Sequence, residues 1–405
     1  MANLNFIDRE DYLNTLVSFK DKGVIKVITG IRRCGKSTLL LKIFTEWLKK
    51  NGVSNEQIIA IDLELKTNSH LCDEQELYRY IKSKIVKNSP NYVLIDEVQN
   101  CAGFQKAIAS LHKEGIDVYI TGSNAFILSG ELATFLSGRY VQIKMLPLSF
   151  KEFVNAQKQS LEHISLEKLY QKYIQIGSFP QVTEFGENEK LIGEYLDAIY
   201  NTIFKKDIID RRSIANPAML EDVIKFVFDN IGCLLSSKKI SDTMTSNGRK
   251  ISQPTIENYL TYLEEAFLIY KANRYDIKGK EYLKSLSKYY IADLGMRNYL
   301  LNYHGMDKGR MLENIIYLEL LKRGYKIHIG KVDTNEVDFI ATKGGEIKYI
   351  QVAETISSQE TLKREISPFK QIKDFHQRIL ITLDYDPNVS YDGILHINAL
   401  DFLMN

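Results

Sequence analysis

The chain has 405 residues, of which 44% are apolar and 26% charged, and its formal net charge is +2. These values are ordinary for a globular protein and exclude a disordered or strongly basic chain, so any nucleic-acid surface must be local. The length allows about two or three domains. No run approaches the roughly 18 apolar residues of a membrane span. The four cysteines are far apart, without a C-x-x-C pair, which favours a reduced, cytoplasmic protein that binds no membrane.

Residues 30–37 carry the pattern G-x-x-x-x-G-K-[ST], between an apolar stretch at 24–28 that predicts a strand and an apolar stretch from Thr38 that predicts a helix. This order is typical of a phosphate-binding loop, in which backbone N–H groups and the helix N-terminus surround a polyphosphate. We expect Lys36 to contact the β- and γ-phosphates and the Ser37 hydroxyl to bind Mg²⁺. The residues of this loop predicted to bind nucleotide are Gly30, Arg32, Arg33, Cys34, Gly35, Lys36, Ser37 and Thr38.

A second buried strand is predicted at 92–95, and the carboxylates of Asp96 and Glu97 follow it. Because ligands of parallel α/β sheets bind at the carboxyl ends of the strands, both side chains should face the same ligand. Asp96 is suited to binding Mg²⁺, and Glu97 to orienting or deprotonating the attacking water. A strand followed by a charged loop is the simpler explanation, but the phosphate-binding loop upstream favours the functional one.

A third strand is predicted at 118–122 and leads into small polar residues. We expect Asn124, ahead of Ser123, to hold the lytic water or to sense the γ-phosphate, although a local turn would also use these side chains. Beyond the next helix, Arg139 could act as a catalytic arginine finger, within the same chain or from a neighbouring subunit. A surface ion pair is the alternative role for Arg139.

The paired arginines of the loop, the Asp96-Glu97-Val98-Gln99 tetrad and the strand end at 121–124 resemble the archaeal-type AAA+ ATPases. The N-terminal segment 6–13 also fits this family. The resemblance implies that this segment borders an adenine pocket through Asp8 and Arg9, that ATP is the ligand, and that the protein is a homo-oligomer. It also implies a helical lid after the core, and a C-terminal domain of unknown function.

After residue 150 the alternation of strands and helices stops. Residues 151–215 predict the helical lid, with an apolar stripe over 191–204. Residues 216–292 predict a helix-turn-helix with a wing, whose third helix begins near Ser252 and whose wing is a strand pair at 268–272 and 289–292. Acidic side chains on the third helix oppose DNA binding, whereas flanking basic residues favour it. Contact with double-stranded DNA and docking of a protein partner therefore stay as equal alternatives.

Residues 293–405 resemble the core of PD-(D/E)-x-K nucleases. Glu313 and Asp338 match two metal-binding carboxylates, on a helix and on a hairpin strand. Where that pattern requires an acid, a spacer and a lysine, this chain has Gln351-Val352-Ala353. Strand alternation directs Lys348 to the other face, so we expect a domain that does not cleave DNA.

The predicted fold class is α/β, with a P-loop AAA+-type parallel sheet at 1–150 and a helical lid, followed by winged-helix and nuclease-like α+β domains. The predicted function is a Mg²⁺-dependent, ATP-hydrolysing switch or motor associated with DNA. The alternative is a nucleotide-gated protein-interaction switch that does not bind DNA.

Overall fold

The computed structural model describes residues 6–125, 136, 138–158, 164–302, 307–385 and 390–405. The chain forms two compact units, which are residues 1–147 with 265–267, and residues 148–264 with 268–405. In the described part of the chain, no helix has the length and apolar character needed to cross a membrane.

The first unit contains a five-stranded sheet in which all neighbouring strands are parallel, in the order β2-β3-β4-β1-β5. The strands are β1 Ile25–Thr29, β2 Ile58–Asp62, β3 Tyr92–Asp96, β4 Asp117–Gly122 and β5 Tyr140–Lys144. β1, β3 and most of β4 are completely buried, because crossover helices cover both faces of a parallel sheet. The predicted α/β fold is confirmed.

Helices of the first unit connect these strands. They are α1 Glu10–Ser18, α2 Lys36–Thr38, α3 Thr45–Lys50, α4 Glu74–Lys84 and α5 Phe104–Lys113. A π-helix at Leu39–Phe44 joins α2 to α3, and 3₁₀ turns lie at Asn55–Gln57, Lys66–Cys72 and Val98–Asn100. Apolar residues of α4 and α5, such as Leu77 and Ile108, pack with Val27 and Ile95 of the sheet in one core.

The second unit begins with helices. They are α6 Phe150–Lys158, α7 Leu166–Ile176, α8 Glu189–Thr202, α9 Asp210–Arg212, α10 Pro217–Asp229, α11 Ser237–Ser246 and α12 Gln253–Glu265, with a 3₁₀ turn at Pro180–Phe185 and a π-helix at Ile203–Ile209. α12 starts where the hydroxyl of Ser252 accepts a hydrogen bond from the backbone N–H of Thr255. Its apolar residues Ile256, Tyr259, Leu260 and Leu263, whose spacing predicts one face of a helix, are buried.

An eight-stranded sheet completes the second unit, in the order β12-β13-β11-β10-β9-β8-β6-β7. Its strands are β6 Ile269–Asp276, β7 Glu281–Ile291, β8 Lys326–Val332, β9 Asn335–Lys343, β10 Glu346–Val352, β11 Gln377–Thr382, β12 Ser390–Tyr391 and β13 Ile394–Asn398. The helices that accompany it are α13 Leu294–Leu300, α14 Lys308–Lys322, α15 Gln359–Lys370 and α16 Ala399–Met404.

The predicted nuclease-like hairpin is present as β9 and β10, whose last pair before the turn is Lys343 with Glu346. Gly344 and Gly345 both have positive φ values, of 58° and 89°, as a two-residue hairpin turn requires.

The strand pair predicted as a wing is part of a larger sheet. β6 and β7 do pair antiparallel, but β6 also pairs in parallel with β8 through Arg274–Asp276 and Ile329–Lys331. The boundary predicted at residue 292 therefore divides strands of one hydrogen-bonded sheet.

Candidate nucleotide-binding site

The loop between β1 and α2 has the backbone shape of a phosphate-binding loop. Arg33 has a φ of 65° and Gly35 a φ of 105°, both in the left-handed region. A Cβ atom on Gly30 would lie 2.0 Å from the carbonyl oxygen of Met145, so no other residue fits there. Helix α2 then begins at Lys36, which places the N–H groups of its first turn at the carboxyl end of β1.

The buried side chain of Arg9 holds the backbone of this loop through hydrogen bonds. Its guanidinium donates hydrogen bonds to the carbonyl of Cys34 at 2.8 Å and to the carbonyl of Leu146 at 2.7 Å, and it lies 4.9 Å from the ring centroid of Tyr12. Only 3% of Arg9 is exposed. The structure thus gives Arg9 a direct role in fixing the loop backbone, whereas Asp8 next to it is exposed.

The remaining loop side chains differ in accessibility. Cys34 is buried, with its Sγ 3.5 Å from the carbonyl of Met145, so only its backbone can face a nucleotide. Arg32 forms an ion pair with Glu64 at 3.2 Å. Arg33 and Ser37 are exposed, and Thr38 is half-buried.

The Lys36 side chain is folded back over the loop. Its Nζ donates to the carbonyl of Gly30 at 3.0 Å and to the carbonyl of Ile31 at 3.1 Å. Both partners are neutral dipoles that hold an ammonium far less tightly than a carboxylate does. A bound phosphate can therefore take over this cation.

Asp96 and Ser37, the two predicted Mg²⁺ ligands, lie in hydrogen-bonding contact. The hydroxyls of Thr121 and Ser37 both donate to the Asp96 carboxylate. Burial raises the pKa of Asp96 from its ordinary value of 3.8 to about 6, although these two hydrogen bonds act in the opposite direction. A hydroxyl and a carboxylate side by side form the oxygen donor set that Mg²⁺ prefers, so the residues present fit this ion.

Glu97 follows Asp96 with a left-handed backbone, at φ 50°. Its N–H donates to the Thr121 hydroxyl at 3.0 Å. Its carboxylate accepts hydrogen bonds from Ser123, at 3.1 Å, and from the side-chain amide of Gln99. These contacts fix the carboxylate at the same edge of the sheet as Asp96, because β3 and β4 are parallel neighbours.

Thr121, Ser123 and Gln99 connect the two carboxylates. Thr121 contacts both Asp96 and the backbone of Glu97, and Ser123 contacts the Glu97 side chain. The sequence pattern favours Asn124 over Ser123 and indicates no role for Thr121 or Gln99. The signal was available, since Gln99 belongs to the Asp96–Gln99 tetrad and Thr121 ends a strand beside Asp96.

Asn124 and Arg139 occupy different places. Asn124 lies just after β4 and is 2% exposed, at the carboxyl edge of the sheet where the other polar residues lie.

Arg139 is exposed and precedes β5, and its carbonyl accepts a hydrogen bond from the N–H of Ile25, the first residue of β1. β1 rises about 13 Å from there to the phosphate loop. Arg139 is therefore at the opposite edge of the sheet, and an arginine finger acting within its own chain is wrong.

The first unit matches a family model described as an AAA domain, over residues 22–154. The Walker-type ATPase of Pyrococcus abyssi shares the fold, with a TM-score of 0.51 and 17% identity over 73% of this chain and 96% of that chain. The chain belongs to the AAA-domain family through its first unit. The matched residues include the phosphate loop after β1 and the strand that ends at Asp96.

Two relatives of this AAA+ chain extend the similarity beyond the first unit. An uncharacterized protein of Haemophilus influenzae is 42% identical over 400 residues, which are 98% of this chain and 98% of the relative. An uncharacterized protein of Methanocaldococcus jannaschii is 33% identical over 92% of this chain and 85% of the relative. A second family model, described as a domain of unknown function, matches residues 167–307.

Proposed function

We propose that this AAA+ protein binds Mg²⁺–ATP and hydrolyses it. The observation that carries the proposal is the contact between Ser37 and Asp96, with the Glu97 carboxylate held beside them by Ser123 and Gln99. A metal ligand pair and a carboxylate base then lie at the same strand ends as the phosphate loop. Nucleotide binding is a property of the family, whereas the roles of Ser37 and Asp96 as metal ligands and of Glu97 as the base are our proposal.

The proposed reaction is attack of water on the γ-phosphorus. The oxygen of water forms a bond to phosphorus as the bond from phosphorus to the β–γ bridging oxygen breaks, and Glu97 accepts the proton of water. Lys36 and the N–H groups of the loop would stabilise charge on the phosphate oxygens, and Ser37 and Asp96 would hold a Mg²⁺ ion, which would neutralise charge that develops on the phosphates. Asn124 is proposed to position the water or sense the γ-phosphate.

The Glu97→Gln variant tests the proposed base. We expect unchanged ATP affinity and a turnover lowered about 10²–10⁴-fold, since the amide keeps the hydrogen bonds but cannot take the proton. ATPase turnover and the dissociation constant for a fluorescent ATP analogue would be measured in parallel. Glu46→Gln, an exposed carboxylate on α3, is the matched control. Wild-type turnover in Glu97→Gln would refute the base assignment.

Arg139 is proposed to complete the site of a neighbouring copy of this chain. It is exposed at the edge of the sheet opposite its own phosphate loop, so a homo-oligomer is the arrangement in which it can reach a γ-phosphate. Arg139→Ala and Glu97→Gln should each abolish turnover alone. Mixing the two inactive proteins should restore part of it, because some interfaces combine an intact Glu97 with an intact Arg139. Mixtures without activity would argue against this arrangement.

Association with double-stranded DNA is the proposed context of hydrolysis. Exposed basic residues lie at the start of α11 and in the segment between α11 and α12, and they are Lys238, Lys239, Arg249 and Lys250. Arg249 is paired with Asp222 at 2.9 Å, which leaves the lysines as the principal phosphate contacts. The exposed Glu257 accepts hydrogen bonds from Ser237 and Gln253 and keeps the α12 surface partly acidic.

Turnover with and without double- and single-stranded DNA, at two salt concentrations, decides between DNA and a protein partner. Stimulation that fades with salt and is lost in Lys238→Ala/Lys239→Ala supports DNA. Lys49→Ala/Lys50→Ala, an exposed lysine pair at the end of α3, is the control. Turnover that is indifferent to DNA favours the protein-interaction switch, and the ATP-trapped Glu97→Gln protein is then the form to use for partner binding.

A further inference from the structure

A lysine lies in the middle of the carboxylates that match the nuclease pattern. The Nζ of Lys288 on β7 is 2.9 Å from Glu313, 2.7 Å from Glu336 and 3.4 Å from Asp338. The Lys288 side chain is 5% exposed, those of Glu313 and Asp338 are 10% and 11% exposed, and that of Glu336 is 29% exposed. We call these four residues the Lys288 centre.

Other protein groups already use the oxygens of this centre. The Tyr290 hydroxyl donates to the Glu313 oxygen that also contacts Lys288, at 2.6 Å. The second oxygen of Asp338 accepts the N–H of Val352 at 2.9 Å. A metal ion bound there would have to compete with these donors as well as with Lys288.

Gln351, which stands where the nuclease pattern has a further acid, also has partners of its own. The Gln351 side chain accepts the N–H of Asp338 at 3.3 Å and donates to Glu365 at 2.9 Å. An amide satisfies both contacts at once, because it carries a donor and an acceptor. Gln351 therefore fixes the neighbours of the centre without adding charge to it.

The charges of the centre favour a cation at the position of Lys288. Burial alone would lower the pKa of Lys288, but the carboxylates of Glu313, Asp338 and Glu336 outweigh burial and raise the pKa well above the ordinary lysine value. Burial, together with the Glu313 carboxylate, raises the pKa of Asp338 above its ordinary value. Lys288 thus lies as an ammonium among three acidic side chains.

The nuclease-like pattern implies a divalent metal ion, but the residues present do not fit one. Gln351 is neutral, Ala353 has no functional group, and the ammonium lies between the two matching acids. Within the described residues, no group of three or more His, Cys, Asp or Glu side chains is arranged to hold a metal ion.

We propose that the Lys288 ammonium is a resident cation that occupies the place of a divalent metal between Glu313 and Asp338 and closes this centre to Mg²⁺ and Mn²⁺. The centre then stabilises the junction of β7, β9 and α14. It does not support metal-dependent cleavage of a phosphodiester.

Mn²⁺ binding to variants of the full chain, measured without nucleotide, tests this proposal. All variants also carry Ser37→Ala, so that the phosphate loop does not contribute to Mn²⁺ binding. We expect no Mn²⁺-dependent rise in the melting temperature when Lys288 is intact. Lys288→Met keeps the length of the side chain but removes its charge, so this variant should melt at a lower temperature than the protein with Lys288 intact. It should bind Mn²⁺ at least about tenfold more tightly than that protein, and added Mn²⁺ should restore its melting temperature. Adding Asp338→Asn should abolish that recovery. Lys331→Met, on β8 of the same sheet, is the matched control.

A second variant covers the case in which Lys288→Met does not fold. Lys288→Met/Glu336→Gln removes one of the repelling carboxylates but keeps Glu313 and Asp338, and it should also gain Mn²⁺ binding. If neither variant binds Mn²⁺, the proposal is overturned. It is equally overturned if the protein with Lys288 intact binds Mn²⁺ and Asp338→Asn abolishes that binding. Cleavage of DNA with Mn²⁺ that is lost in Lys288→Met would also overturn it, since Lys288 would then be a catalytic lysine. ATPase turnover does not enter these outcomes.

Discussion

The nucleotide site and the Lys288 centre both contain a buried lysine and acidic side chains in a sheet, yet the lysines have different partners. Lys36 contacts the neutral carbonyls of Gly30 and Ile31, while Asp96 and Glu97 are held by hydroxyl and amide groups. Lys288 contacts the carboxylates themselves. The partner of the lysine, more than the presence of acidic side chains, therefore determines whether a site stays open to an external cation.

The largest expected effect is that of Lys36→Met. ATP affinity should fall about 100-fold or more, because a charged contact to the phosphates is lost. The free energy of unfolding should change by only about 1 kcal/mol, since Lys36 contacts carbonyls alone. Titration with a fluorescent ATP analogue and urea unfolding measure the two quantities, with Lys49→Met as the control.

Lys288→Met should give the opposite pattern. Removing the ammonium leaves three carboxylates together in a buried place, and breaking such a cluster costs about 3–5 kcal/mol of unfolding free energy. ATP affinity should be unchanged. Urea unfolding and ATP titration would measure both. A stable Lys288→Met protein, or one with weakened ATP binding, would remove the distinction between the two lysines.

The smallest expected effect is on pH dependence. Because burial raises the pKa of Asp96 to about 6, Mg²⁺–ATP affinity should decrease as the pH falls through about 6, by up to about tenfold per pH unit, since the protonated carboxyl does not bind the metal. Folded Asp96 also holds its proton more tightly than the unfolded chain does, so this contribution to stability is lost as the pH rises from about 4 to about 6. ATP titrations with Mg²⁺ and with EDTA isolate the metal-dependent effect, and urea unfolding at the same pH values measures the effect on stability. Equal pH profiles with Mg²⁺ and with EDTA would contradict the role of Asp96.

Local patterns were sufficient to predict the parts of the molecule that depend on local chemistry. The phosphate loop, the strand before Asp96 and the Gly344–Gly345 turn each follow from a few adjacent residues whose backbone or burial requirements are strict. The same holds for the apolar stripe of α12, because helix periodicity is a local property.

The features that depend on long-range pairing were not predictable. Lys288 meets Glu313, Glu336 and Asp338 only because β7, α14 and β9 come together, and no spacing in the sequence encodes that meeting. The strand pair β6–β7 looked like a wing because its pairing with β8 is a contact across about 50 residues of chain. The sequence left open whether Arg139 acts within its own chain, whereas the register of β5 with β1 puts Arg139 at the edge of the sheet opposite the phosphate loop.

The contacts of Arg9 have a consequence for two segments of the first unit. One guanidinium joins the carbonyl of Cys34, inside the phosphate loop, to the carbonyls of Leu146 and Pro147, and Met145 contacts both Gly30 and Cys34. Pro147 is also the residue after which the chain leaves this unit. The phosphate loop and the exit segment are therefore joined through one buried guanidinium, so loss of Arg9 should loosen both segments together.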